Sequence, residues 1–176
     1  MALLLSKRVR DTARAILADP ALGFNKTYAA LQSSYGAPSI AFDFTSASAN
    51  FAQSHATSQM ADLSSNYGYP LMLMYASDSD NTRDIKYAVF SGQVILVIDI
   101  YISWELENIS FDMESWGDAI EDTMYSVFNG MLGTNSFTQA GVIYNGELSL
   151  NRQPLQFSGE NWTQLLSFRL MTGRTA

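Results

Sequence analysis

The stretch Gln93–Trp104 constrains the fold more than any other part of the chain. Val94, Leu96, Ile98, Ile100 and Ile102 alternate onto one side of an extended strand. Ile95, Val97 and Tyr101 make its other side apolar as well. A strand with two apolar sides belongs in the middle of a sheet that is covered on both faces. Around it, Leu71–Tyr75 reads as a short apolar strand, and Ser77–Asp84, rich in Ser, Asp and Asn, reads as a polar loop. Ile85–Phe90 reads as a further strand, joined to the long one by a tight hairpin at Ser91-Gly92.

Helical periodicity flanks this sheet. Leu5, Val9, Ala13, Ile16 and Leu17 recur at helical spacing, so residues 3–18 read as an amphipathic helix stopped by Asp19-Pro20. Met113, Trp116, Ile120, Met124, Val127 and Met131 form a second apolar stripe, with Ser110 or Asp112 as its cap and Gly130 and Gly133 at its end. Val142–Tyr144 and Leu148–Leu150 flank Asn145-Gly146, a strong hairpin signal, and Gln153–Phe157 can extend that sheet region. Trp162–Met171, with Trp162, Leu166, Phe168 and Leu170 on one face, reads as the closing strand. Residues 21–45 fit either a short helix or a strand around Tyr28, Ala29 and Leu31, followed by an alternating strand at Ile40, Phe42 and Phe44. The almost uncharged segment 46–66 fits a loosely held helix or a flexible excursion. The fold class expected is α+β: a mostly antiparallel β-sheet flanked by an N-terminal helix and a central amphipathic helix.

A chain of 176 residues fits one domain, 1–176, with a core that needs no covalent staple. Only 15% of it is charged, against about 25% in a typical soluble domain. That deficit calls for a surface of uncharged polar residues, for a partner that covers apolar surface, or for both.

The residues that carry chemistry are sparse. With no cysteine, disulfides and thiolate metal sites are excluded, and the single histidine, His55, cannot form a multi-histidine site within one chain. His55 sits in a Ser/Thr-rich stretch without a nucleophile elbow, which favours a structural histidine over a triad member. Neither phosphate-cradling glycine motif occurs. Asp78-x-Asp80-x-x-x-Asp84 resembles the start of a calcium loop, but the positions that need Gly and Glu hold Arg83 and Val89. The expectation is therefore a chain with no catalytic residues, cofactor or metal. No run reaches the ~18 apolar residues of a membrane span. The opening Met1-Ala-Leu-Leu-Leu has its positive charges on the wrong side for a secretory leader, so an intracellular product is expected.

Charge is unevenly placed. Residues 1–14 carry Lys7, Arg8, Arg10 and Arg14 against Asp11, a net of +3, leaving −10 for the rest of a chain whose total is −7. Glu114, Asp118, Glu121 and Asp122 gather on the polar side of the central helix. Each set reads either as a solvated helix face or as a docking surface for the opposite charge on a neighbouring subunit. These eight residues are the candidate interface. The overall acidity argues against a broad grip on nucleic acid.

The succession of the Tyr69-Pro70-Leu-Met-Leu strand, the Phe90-Ser-Gly92 hairpin, the Asp118-x-x-Glu121-Asp122 helix and the closing Asn161-Trp-Thr-Gln-Leu-Leu-Ser-Phe-Arg-Leu strand resembles tail terminator proteins of tailed bacteriophages. Related tail-completion and neck proteins are similar too. The resemblance covers roughly residues 1–20 and 67–172, by element order and without an invariant motif. It implies a virion subunit assembled in the host cytoplasm into a hexameric ring. Such a ring caps the tail tube protein, ends tube polymerisation and docks to head-tail connector proteins, while DNA passes through without specific binding. Two rival readings are another neck protein, a stopper or adaptor, and a monomeric ligand-binding α/β module using the abundant aromatic residues.

Overall fold

The computed structural model describes residues 5–35, 44, 51–52, 71–84, 89–103, 109–128, 132–139, 142–158 and 161–174. The first helix, α1 (Leu5–Leu17), buries Val9, Ala13, Ile16 and Leu17, the stripe expected from the sequence. Its end is built by Asp19. The Asp19 amide donates to the Ile16 carbonyl, tightening the last turn, and its carboxylate accepts from the amides of Ala21 and Leu22, both at 2.9 Å. Gly23 closes this joint so tightly that a Cβ there would lie 2.4 Å from the Asp19 carbonyl oxygen. The ambiguous segment after it is helical: α2 spans Phe24–Tyr35. Phe24 stacks on Tyr28, Phe44 meets Phe24 edge-on, and Phe51 meets Phe44 edge-on, so a column of buried rings backs this helix. Ile40, Phe42 and most of 46–66 lie outside the described residues.

Among the described residues, seven strands form one sheet: β1 (Phe51–Ala52), β2 (Leu71–Asp84), β3 (Val89–Ser103), β4 (Leu132–Gly133), β5 (Val142–Arg152), β6 (Gln156–Ser158) and β7 (Asn161–Arg174). Their order is β1-β2-β3-β7-β5-β4, with β6 also on β7. Every pairing is antiparallel except β1 on β2. The long apolar strand β3 sits between β2 and β7, as its two-sided pattern demands. The fold is α+β.

Three strand readings are corrected. Ser77–Asp84 is not a loop: it continues β2, past an irregularity between Ala76 and Asp78, in register with β3. Ser91-Gly92 is not a turn, because both residues lie within β3, paired with Thr82 and Asn81 on one side and Gly173 and Thr172 on the other. Asn145-Gly146 is not a hairpin either. It is an irregularity within β5, where the pairing to β7 steps from Tyr144↔Thr172 to Leu148↔Leu170 and Gly146 takes φ +81°. A left-handed glycine serves a bulge as well as it serves a two-residue turn, and here the long partner strand β7 decides between them.

A further helix, α3, spans Ile109–Phe128, so Ser110 and Asp112 fall inside its first turn and do not precede it as caps. Trp116, Ala119, Ile120, Met124 and Phe128 are fully buried. They join α1, α2, Met72 and Met74 of β2, Val142 and Tyr144 of β5, and Leu166, Phe168 and Leu170 of β7 in one core between the helices and the sheet. Leu71, Leu73 and Tyr75, at the alternate positions of β2, are buried too, so that end of the sheet is covered on both faces. Towards β5 and β7 the second face opens: Arg169, Ser149 and Asn151 are exposed around a hollow of about 480 Å³.

Candidate functional site

Arg152, the last residue of β5, leaves the sheet and reaches α3. Its Nη1 donates to Asp118 Oδ1 at 2.5 Å and its Nη2 to the Glu114 carbonyl at 3.0 Å. Gly117 makes this possible. A Cβ at that position would lie 2.5 Å from Arg152 Nη2, so the guanidinium lies against bare helix backbone. The Asp118 side chain is 57% exposed and that of Arg152 22%, which leaves the ion pair half in water and worth about 0.2–1 kcal/mol.

Pro154 interrupts the strand after Arg152, since it offers no amide hydrogen to a ladder. The track along β7 is kept by the Gln153 amide, which donates to the Leu165 carbonyl at 2.9 Å, and β6 then resumes beside Thr163. Between this connection and α3 lies a cleft of about 470 Å³. Glu114, Asp118 and Arg152 line it from above, and Pro154, Leu155 and Gln164 from the sheet side. Gln164 is only 6% exposed, and its Oε1 has no hydrogen-bond partner. Leaving a buried acceptor unmatched costs on the order of 1–3 kcal/mol.

The expected charged residues divide into two sets, one on each helix. On α3, Glu114, Asp118 and Asp122 are exposed at four-residue spacing and Glu121 is half-buried beside them. On α1, Lys7 is engaged by Asp11 of its own helix at 2.6 Å. Arg8, Arg10 and Arg14 are half-buried, and the Nε of Arg10 is enclosed without a partner. Lys7–Asp11 and Arg152–Asp118 form ion pairs, and neither of these joins α1 to α3.

A second unmatched polar group lies in the core. The Tyr144 hydroxyl is buried without a hydrogen bond, the Thr12 hydroxyl standing beside it outside bonding geometry. Burial pushes the phenol up to about 12, an effect that the Thr12 hydroxyl opposes.

Sequence reasoning passed over Arg152, Gly117 and Gln164. Two signals were there: a glycine in the middle of a strong helix, and a glutamine interrupting the apolar alternation Trp162, Leu166, Phe168, Leu170. His55 lies outside the described residues. Among the described residues, no group of three His, Asp or Glu side chains is placed to hold a metal ion, and no helix is long and apolar enough to cross a membrane. Asp78, Asp80 and Asp84 lie along one extended strand, a geometry unlike the wrapped loop of a calcium site. No family model and no curated protein matches the chain.

Proposed function

We propose that this chain is a non-catalytic structural subunit that assembles into a ring, of the tail-terminator kind, at the neck of a tailed bacteriophage. In this role the ring caps the tail tube, stops its growth and presents a surface to the head-side connector. One observation carries the reading: the chain holds a basic helix and an acidic helix, and neither the Lys7–Asp11 nor the Arg152–Asp118 ion pair joins the two. Two different complementary patches on one subunit are what a head-to-tail ring requires. The resemblance in element order supports the tail-terminator assignment, and the net charge of −7 suits a channel past which DNA slides without sticking. Another neck protein, a stopper or adaptor, would rest on the same charge separation. The cleft lined by Glu114, Asp118, Arg152 and Leu155 favours, as a second reading, a ligand-binding module.

Light scattering across a concentration series, with electron micrographs of the same sample, tests the proposal. Particles of about six copies around a central hole are expected. A chain that stays monomeric or stops at a closed dimer overturns the ring.

A further inference from the structure

The cleft beneath α3 is lined by hydrogen-bonding groups of both senses. The Glu114 carboxylate, an acceptor, stands exposed on its rim, and the Asp118 side chain is 57% exposed although bonded to Arg152. Arg152 directs two N–H groups to Asp118 and the Glu114 carbonyl, and a guanidinium carries five. Gln153, exposed beside it, offers an amide that both donates and accepts. Pro154 and Leu155 add an apolar wall, and two carboxylates against one guanidinium make the lining acidic. An aromatic pair extends the cleft. Trp162 lies two residues before Gln164 on the same face of β7, about 7 Å along the strand, and Phe157 is its cross-strand partner on β6. Their ring centroids are 5.0 Å apart and Phe157 is 53% exposed, so ring surface is left open beside the polar groups.

This lining selects its occupant by exclusion. A cationic group carries donors alone and leaves Arg152 and Gln153 facing it without an acceptor. An anion meets two carboxylates, and an apolar molecule strips water from charged groups and returns no hydrogen bond. Hydroxyl groups donate and accept at once, so a ring that bears several of them matches carboxylate, guanidinium and amide together. A saccharide ring has such an edge, and it also has a face of C–H bonds that stacks on an aromatic ring. We propose that the cleft binds a neutral saccharide, its hydroxyls held by Glu114, Arg152 and Gln153 and its C–H face laid on Phe157. The volume of about 470 Å³ falls within the range of small-ligand pockets. The inference rests on the ligand-binding reading of the cleft and does not depend on ring formation.

The test is calorimetric titration of the full-length chain with neutral trisaccharides (maltotriose, cellotriose and chitotriose) and with an acidic one, trigalacturonate. Binding of at least one neutral sugar and rejection of the acidic one are expected. Phe157→Ala and Glu114→Gln, both at exposed positions, are each expected to weaken that binding about tenfold while the melting temperature stays close to wild type. Phe157→Leu keeps apolar surface and removes the ring face. It is expected to weaken sugar binding as Phe157→Ala does, an effect that plain apolar docking does not give. A chain that binds no neutral sugar, or binds one equally well in the Phe157 and Glu114 variants, overturns the inference. N-acetylarginine amide, titrated in parallel, separates this inference from the reading beneath it. A chain that takes it through Glu114 and takes no sugar keeps the ligand-binding cleft and removes the saccharide, and a chain that takes neither removes both. Should Phe157→Ala lower self-association and leave sugar binding intact, the aromatic pair is a contact between copies and the saccharide site is overturned.

Discussion

Tyr144 shows what one enclosed hydroxyl does to the pH response of the whole chain. Its phenol titrates near 12 in the fold and near 10.0 when unfolded, so the folded state holds the proton more tightly. The stability this represents is fully present below pH 10 and is lost as pH rises towards 12, a fall of about 2–3 kcal/mol. Tyr144→Phe removes that fall and, by deleting an unmatched buried hydroxyl, raises the melting temperature at neutral pH. Denaturant titrations at pH 8, 10 and 11.5 check both effects. A variant that loses stability with alkali as steeply as wild type would contradict the assignment. Such a residue is invisible in the sequence, where a tyrosine in an apolar triplet beside Asn-Gly looks like any half-buried strand residue.

At the scale of elements, α3 and β5 are locked together through Gly117 and Arg152. Gly117→Ala gains about 1 kcal/mol of helix propensity but puts a methyl group where the guanidinium lies. Arg152 is long enough to swing aside, so the melting temperature moves little and the change is positional. The coupling between Asp118 and Arg152, measured by a double-mutant cycle, is expected to vanish in the alanine background. Coupling of wild-type size would show that Arg152 needs no glycine. The helices were legible because amphipathic periodicity is a local signal: α1 and the stripe on α3 fall where the spacing puts them. The strands were legible only in part. Ser91-Gly92 and Asn145-Gly146 carry turn chemistry, yet each lies within a strand paired to β7, a partner distant in sequence that pattern reading does not see. The cleft failed to show for the same reason. Glu114 and Asp118 were recognisable as a helix face, but Arg152 comes from 34 residues beyond Asp118, and only the folded chain brings Gln164 to them.

For the whole molecule, the separation of a +3 end from a −10 body makes assembly an electrostatic question. Raising salt from about 0.1 M to 1 M shortens the screening length from about 10 Å to 3 Å. The association constant is therefore expected to fall several-fold over that range in sedimentation or light scattering. Association that strengthens with salt would mean that apolar surface, and not the charged helices, drives the contact.

Subunits that gather at high local density face a hazard beyond wrong docking. An open strand edge is a template on which a second sheet can grow without limit, ending in fibres. Both rims of this sheet carry only two-residue strands, β1 and β4, and among the described residues β1 covers no more of β2 than Met72 and Leu73. Further along β2 the sequence runs through Asp78, Asp80, Arg83 and Asp84, and charged residues are a common guard of strand edges. The polar sequence that looked like a loop is thus a charged strand, a poor template for edge-to-edge fusion with a copy of itself.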